Sequence, residues 1–147
     1  MSDEPTLDPD LSNLIARTCL CQHVQRAGRK IGRRFDDAVR PLGINNWQFT
    51  ILMALSRLLE PTMGELADAL GMDRTTLTKN LKPLARDGLL SIAADPADAR
   101  IRHVGLTPAG QALLAQAAER WKLAQGSFTD RLSQGDLADL LSLLNKL

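Results

Sequence analysis

Thr62-Met63-Gly64-Glu65-Leu66-Ala67-Asp68-Ala69-Leu70-Gly71-Met72-Asp73-Arg74-Thr75-Thr76-Leu77-Thr78-Lys79-Asn80-Leu81-Lys82-Pro83-Leu84-Ala85-Arg86-Asp87-Gly88-Leu89-Leu90 is the stretch on which the fold turns. Thr62 and Glu65 stand at capping-box spacing, where a hydroxyl takes an orphan N–H and a carboxylate reaches back to the cap. Met63, Leu66, Ala67 and Leu70 then fall at i, i+3, i+4 and i+7, one face of a helix. Gly71 supplies the left-handed backbone that ends it. Asp73 is placed to cap a next helix, whose apolar face is Leu77, Leu81 and Leu84. The opposite face carries Arg74, Thr75, Thr78, Lys79 and Lys82. A short helix, a glycine turn and a second helix with polar donors near its start are the sequence form of a helix-turn-helix. Pro83 falls inside the second helix and cannot donate to the carbonyl of Lys79, so a bend is expected there. Helix pairs with charged outer faces also occur in proteins that never touch DNA, and the flanking sequence has to decide.

Downstream, Leu89, Leu90 and Ile92, then Ile101, Val104 and Leu106, flank Asp95-Pro96-Ala97-Asp98-Ala99-Arg100. Two short apolar strands around a Pro/Asp-rich turn read as a hairpin, a wing beside the helices. Thr107-Pro108 then opens another helix, with threonine as cap and proline at its first position. Arg100 and Arg102 sit at the far end of the hairpin, with His103 after them. A thin, arginine-tipped ribbon fits the narrow groove of a duplex. The plainer alternative is a surface loop with ordinary charges.

The pattern Asp95-x-x-Asp98-x-Arg100-x-x-x-Val104-x-Leu106-Thr107-x-x-Gly110, placed after this helix-turn-helix, resembles the wing signature of the MarR family of winged-helix transcriptional regulators. The likeness extends upstream through Pro41-Leu-Gly-Ile-Asn-Asn-Trp-Gln-Phe-Thr-Ile-Leu52, similar to the family's second helix, and takes in the first helix and the helical tail. The resemblance implies a mainly α fold with a small β-hairpin wing. A winged helix-turn-helix head at about 45–107 would be flanked by dimerisation helices at about 9–40 and 108–147. The whole of 1–147 would then be a single domain.

Those flanks read independently as helices. Asp8-Pro9 can cap and open the first. From Leu11 to about Val39, Leu14, Thr18, Cys21, Val24, Gly28, Ile31, Phe35 and Ala38 recur every three or four residues, which predicts one long amphipathic helix ended by Pro41 and Gly43. Its other face carries Arg26, Arg29, Lys30, Arg33 and Arg34, read first as a solvated face and otherwise as support for phosphate contacts. Asn45 or Asn46 can cap the next helix, with Trp47, Ile51, Leu55 and Leu58 as its apolar stripe. Leu113, Leu114, Ala117, Trp121, Ala124 and Phe128 mark a fifth helix. Ser133-x-x-Asp136 caps a sixth that bears Leu137, Leu140, Leu141, Leu144 and Leu147. Such an excess of leucine would leave a small monomer with an exposed apolar patch, which a second copy would cover. The MarR resemblance implies the same homodimer, joined through N- and C-terminal helices.

Taken as a DNA reader, the N-terminal part of the second helix of the pair, Asp73 to Thr78, enters a major groove. Arg74 and Lys79 are candidates for guanine acceptors or nearby phosphates, and Thr75, Thr76 and Thr78 for phosphates or a thymine methyl. Arg102 and Lys82 position rather than specify. The resemblance assigns Arg100 to the minor groove, with Asp98 holding its guanidinium. Two copies would want a pseudo-palindromic operator of double-stranded DNA. The family also implies release, usually of a repressor, by a small aromatic or phenolic effector. Here Arg17, Cys21, Val24, Gln25, Trp47 and Phe49 are the candidate lining, although Trp47 and Phe49 taken singly read as core.

Cys19, Cys21 and His23 stand close together. Cys19 and Cys21 point in different directions on a helix and cannot easily bridge, while Cys19 and His23 make at most a weak metal pair. Cys21 occupies roughly the place of the sensing cysteine in the organic-hydroperoxide branch of the family. That branch surrounds its cysteine with tyrosines, and this chain has none. Core packing is therefore the first reading of Cys21, with redox sensing as the alternative. No metal or cofactor site is expected. No nucleophile–base pair, phosphate-cradling glycine loop or framed carboxylate pair points to an enzyme. A DNA-free helical interaction module is the competing class. The net charge of +1 conceals acidic Asp3, Glu4, Asp8 and Asp10 offsetting basic surfaces elsewhere. No apolar run is long enough for a signal peptide or membrane span, so a cytoplasmic protein is expected.

Overall fold

The computed structural model describes residues 6–147. Its elements run α1 (Pro9–Thr18), α2 (Leu20–Val39), a 3-10 turn (Arg40–Leu42), α3 (Asn46–Leu55), α4 (Met63–Leu70), α5 (Arg74–Arg86), β1 (Leu90–Ala94), β2 (Arg102–Leu106), α6 (Pro108–Thr129) and α7 (Gln134–Leu144). This is the mainly helical fold with a hairpin wing that the sequence predicts. The chain divides into one unit that ends at Arg34 and a second spanning Phe35–Leu147. Of the acidic residues near the start, Asp3 and Glu4 lie outside the described residues, which exclude 1–5. Among the described residues, no helix is long and apolar enough to cross a membrane.

The caps fall where the side chains allow them. Thr62 accepts from the Glu65 N–H while the Glu65 carboxylate takes the Thr62 N–H at 2.8 Å, a complete capping box for α4. Gly71 ends α4 at φ 59°, and Asp73 caps α5 through the Thr76 N–H at 2.8 Å. Asn45, rather than Asn46, caps α3, in a second box with Gln48. Thr107 caps α6 and also donates to the carbonyl of Gly88 at 2.7 Å, tying α6 to the end of α5. Helix α5 continues past Pro83 to Arg86.

The hydrophobic core lies in the second unit. Leu66 and Ala67 of α4, Leu77, Leu81 and Leu84 of α5, and Ile51, Leu52 and Leu55 of α3 are buried together with Val104 and Leu90 of the hairpin. The strands pair antiparallel in the register Leu90↔Leu106, Ile92↔Val104 and Ala94↔Arg102. Only Val104 and Leu90 of these turn fully inward, so one hairpin face is free of the core.

Three expectations are corrected. The first helix is not continuous: Cys19 leaves the helical region at φ −66°, ψ 102°, and the chain restarts at Leu20. The orphan carbonyl of Arg17 is met by the His23 ring, whose Nε2 lies 3.1 Å away. His23 is thus occupied with backbone rather than paired with Cys19. Trp47 does not fill the core. It sits in the first turn of α3 and is 53% exposed, while Gln48, Phe49 and Leu52 form the buried side of that helix. Cys21, read first as packed, is exposed, and the Gln25 amide donates to its sulfur at 3.3 Å.

Candidate nucleic-acid interface

Because Leu77, Leu81 and Leu84 are held in the core, the opposite face of α5 is fixed outward. Arg74, Thr75, Thr78, Lys79 and Lys82 line one groove on that face. They make a cationic strip interleaved with hydroxyls, suited to phosphates and base edges. Thr76 stands slightly off the strip. Its N–H and its hydroxyl are both engaged with Asp73, at 2.8 and 2.7 Å, so it serves the cap. Those two contacts, the hydroxyl first, hold the Asp73 carboxyl below the ordinary aspartate range. The Thr78 hydroxyl donates back to the carbonyl of Arg74 at 2.7 Å, leaving its oxygen as an acceptor toward the groove.

The hairpin tip supplies a second cationic edge. Arg100 Nε donates to Asp98 Oδ1 at 3.0 Å and Nη2 to Oδ2 at 2.9 Å, a forked pair in which the arginine side chain remains 90% exposed. The Asp98 carboxyl is held below its usual range by that side-chain pairing and then by the Arg100 backbone N–H. Asp98 therefore orients Arg100 without covering it.

The two edges meet. Arg74 also lines a second cleft, with Thr62, Met63, Gly64, Arg100, Ile101 and Arg102. Arg74 passes beside Gly64: a Cβ there would meet Nη2 of Arg74 at 3.6 Å, an ordinary van der Waals contact. One side chain thus borders both the α5 groove and the wing cleft. Of the residues expected to contact DNA, Arg74, Thr75, Thr78, Lys79 and Lys82 gather in the first hollow, and Arg74, Arg100 and Arg102 in the second.

The effector candidates fare differently. Phe49 is buried in the core at 7% exposure. Trp47 is exposed, as are Arg17, Cys21, Val24 and Gln25 on the first two helices. Among the described residues, no three His, Cys, Asp or Glu side chains stand together as a metal would need.

Sequence reasoning missed the role of His103. Its ring bridges Asp95 on the hairpin and the carbonyl of Glu60 before α4. Asp95 and His103 flank the wing turn eight residues apart, a signal visible in the sequence. Glu60, 43 residues away, is not.

The profile of the MarR family matches residues 42–101. Among solved structures, the M. tuberculosis transcriptional regulator MosR in complex with DNA is 37% identical, with a TM-score of 0.72 over 87% of this chain and 97% of that one. A further crystal structure of M. tuberculosis MosR is 34% identical, with a TM-score of 0.73 over 88% of this chain and 98% of that one. A cysteine-to-serine mutant of MarR from E. coli, complexed with operator DNA, is 26% identical, with a TM-score of 0.81 over 90% and 95%. A capped helix pair, a forked Asp–Arg wing and relatives matched along nearly their whole length lead to one assignment: the chain belongs to the MarR family of winged-helix, DNA-binding transcriptional regulators.

Proposed function

We propose that the chain acts as a homodimeric repressor on a pseudo-palindromic operator. Each copy lays the N-terminal half of α5 in a major groove and places Arg100 in the adjacent minor groove. The observation that carries this reading is Arg74 bordering both the α5 groove and the Arg100 cleft, which puts both reading edges on one surface. Dimerisation is supported by the terminal helices. No residue of α1 or α7 is buried, and α2 buries only Val39, although all three carry apolar stripes. Release by a small aromatic or phenolic effector belongs to the same proposal and rests on family membership. The exposure of Cys21 favours control by thiol oxidation as a second reading.

The test is selection of duplexes from a random pool by the purified protein, followed by titration of the selected site at several salt concentrations. A twofold-symmetric consensus and affinity that falls steeply with salt are expected. Arg100→Ala should weaken binding strongly. Salt-independent binding, or unchanged affinity in that variant, would favour the protein-interaction module instead. Release assays with aromatic acids and with peroxide then separate the two modes of control.

A further inference from the structure

Both ring nitrogens of His103 face oxygen acceptors. Nδ1 lies 2.9 Å from the carbonyl of Glu60, and Nε2 lies 2.9 Å from Oδ2 of Asp95. A neutral imidazole has one N–H and can donate to only one of them, whereas the imidazolium donates to both. The site is partly sheltered, with the two side chains 31% and 26% exposed. Glu60 is the non-glycine residue with positive φ among those described, at 45°, so a strained backbone offers the carbonyl that the ring meets. Beside it, the Val104 N–H donates to the Pro61 carbonyl at 2.9 Å, and Thr62 bridges to His103. The second strand of the wing is fastened to the 60–62 segment at this point.

The contacts continue toward the tip. Asp95 Oδ1 accepts from the N–H groups of Ala97 at 2.7 Å and Asp98 at 3.1 Å, shaping the turn. Asp98 in turn grips Arg100. An unbroken line of hydrogen bonds therefore runs from Glu60 through His103, Asp95 and Asp98 to Arg100.

We propose that His103 is a positioning residue for DNA recognition: as an imidazolium it clamps the hairpin to the 60–62 segment and sets Arg100 beside α5. When the ring loses its proton, one of its two contacts opens and the wing loosens. The proposal rests on the reading of the wing as a DNA contact. Facing the ring are Asp95 from the hairpin, Glu60 from the segment leading into α4 and Glu65 from the first turn of α4. The Glu65 carboxylate is already engaged by Thr62, at 2.8 and 2.9 Å. The neighbouring cations Arg74, Arg100 and Arg102 collect on the cleft beside Thr62. Asp95 first, and the Glu60 carbonyl second, raise the ring's pKa above the ordinary histidine value. The folded-state pKa being raised, the clamp is fully closed below the ordinary value and is lost as pH rises through the higher one.

The experiment measures affinity for a duplex selected from a random pool, at constant ionic strength, from about pH 5.5 to about pH 9, across the histidine range. Wild type, His103→Gln, Asp95→Asn, His23→Gln and Arg100→Ala are compared, and the His103 ring is followed by nitrogen-15 NMR. Wild-type affinity is expected to fall about fivefold on the alkaline side, the low end of ordinary coupling between sites. His103→Gln should be flat across that range, and His23→Gln should keep the wild-type slope. Asp95→Asn should move the midpoint to lower pH, and the NMR midpoint should follow it. A flat wild-type profile, a sloping His103→Gln profile or an unmoved Asp95→Asn midpoint overturns the proposal. If His103→Gln does not fold, the Asp95→Asn shift and the wild-type NMR titration decide. Weak binding by Arg100→Ala at every pH, beside a flat wild type, sinks the histidine clamp alone. Unchanged binding by Arg100→Ala sinks the wing's DNA role itself.

Discussion

The backbone carbonyl of Leu89 lies so close against Gly110 that a Cβ at position 110 would overlap it, and Cδ1 of Leu106 would stand only 2.8 Å from that atom. This contact explains the last glycine of the wing signature. Gly110 is buried in the first turn of α6, where its N–H also reaches the Thr107 hydroxyl at 3.1 Å. Backbone cannot yield as a flexible side chain does, so Gly110→Ala should cost at least ~1–3 kcal/mol, the ordinary range for overpacking. Thermal unfolding of the variant checks this. An unchanged midpoint would show that α6 can slide away from Leu89 without loss.

The forked Asp98–Arg100 pair predicts a graded loss of binding. Under the proposed DNA contact of Arg100, Asp98 need not touch DNA; it orders a long, exposed side chain beforehand. Asp98→Ala should therefore weaken binding by roughly threefold to tenfold, the span expected for immobilising one such side chain. Arg100→Ala removes the proposed contact itself and should weaken binding further. Fluorescence anisotropy on a selected duplex orders the variants. Equal losses would mean that Asp98 acts by some route other than holding Arg100.

What could be read from the sequence was local. Thr62, Asp73, Thr107 and Ser133 cap helices within three residues of their partners, so spacing reveals them. Leu77, Leu81 and Leu84 follow the helical period and are buried as that period implies. The break at Cys19 leaves no such mark. No proline or glycine accompanies it, and one extended residue disturbs the apolar period too little to be noticed. The clamp at His103 was hidden for another reason: its ring needs Glu60, which only the completed fold brings near. Trp47 failed because periodicity ranks faces and does not say how far the core extends along a helix.

The caps carry an acid dependence whose sign follows from their partners. The Glu65 carboxyl is held below its ordinary range by the Thr62 N–H first and the Thr62 hydroxyl second. For Asp136 the Ser133 hydroxyl comes first and its N–H second, and Asp73 is lowered by Thr76. A depressed folded-state pKa gives stability that is present above the ordinary carboxylate value and lost as pH falls through the lowered one. Chemical denaturation should thus show stability declining below about pH 4.3, where an unperturbed glutamate begins to protonate. Glu65→Gln should flatten part of that decline while retaining the helix. A decline of unchanged steepness would assign it to other carboxylates.

Helix α7 buries no residue in its own chain, yet Leu141 is 52% and Leu144 is 43% exposed. Two glutamates in place of Leu141 and Leu144 therefore remove little from the folded monomer and should leave its circular dichroism and unfolding midpoint close to wild type. In a dimer that covers this face, the same charges would lose their water and face apolar surface, an expensive exchange. The double variant should sediment as a monomer at concentrations where wild type is a dimer. Losing the second reading head also removes the effective concentration that joins two half-sites, so operator affinity should fall by ~100-fold or more. Half-site binding should survive, because α5 and the wing are untouched. A double variant that still sediments as a dimer would place the interface elsewhere, on other exposed apolar residues such as those of α1 or Trp121 and Leu123 of α6.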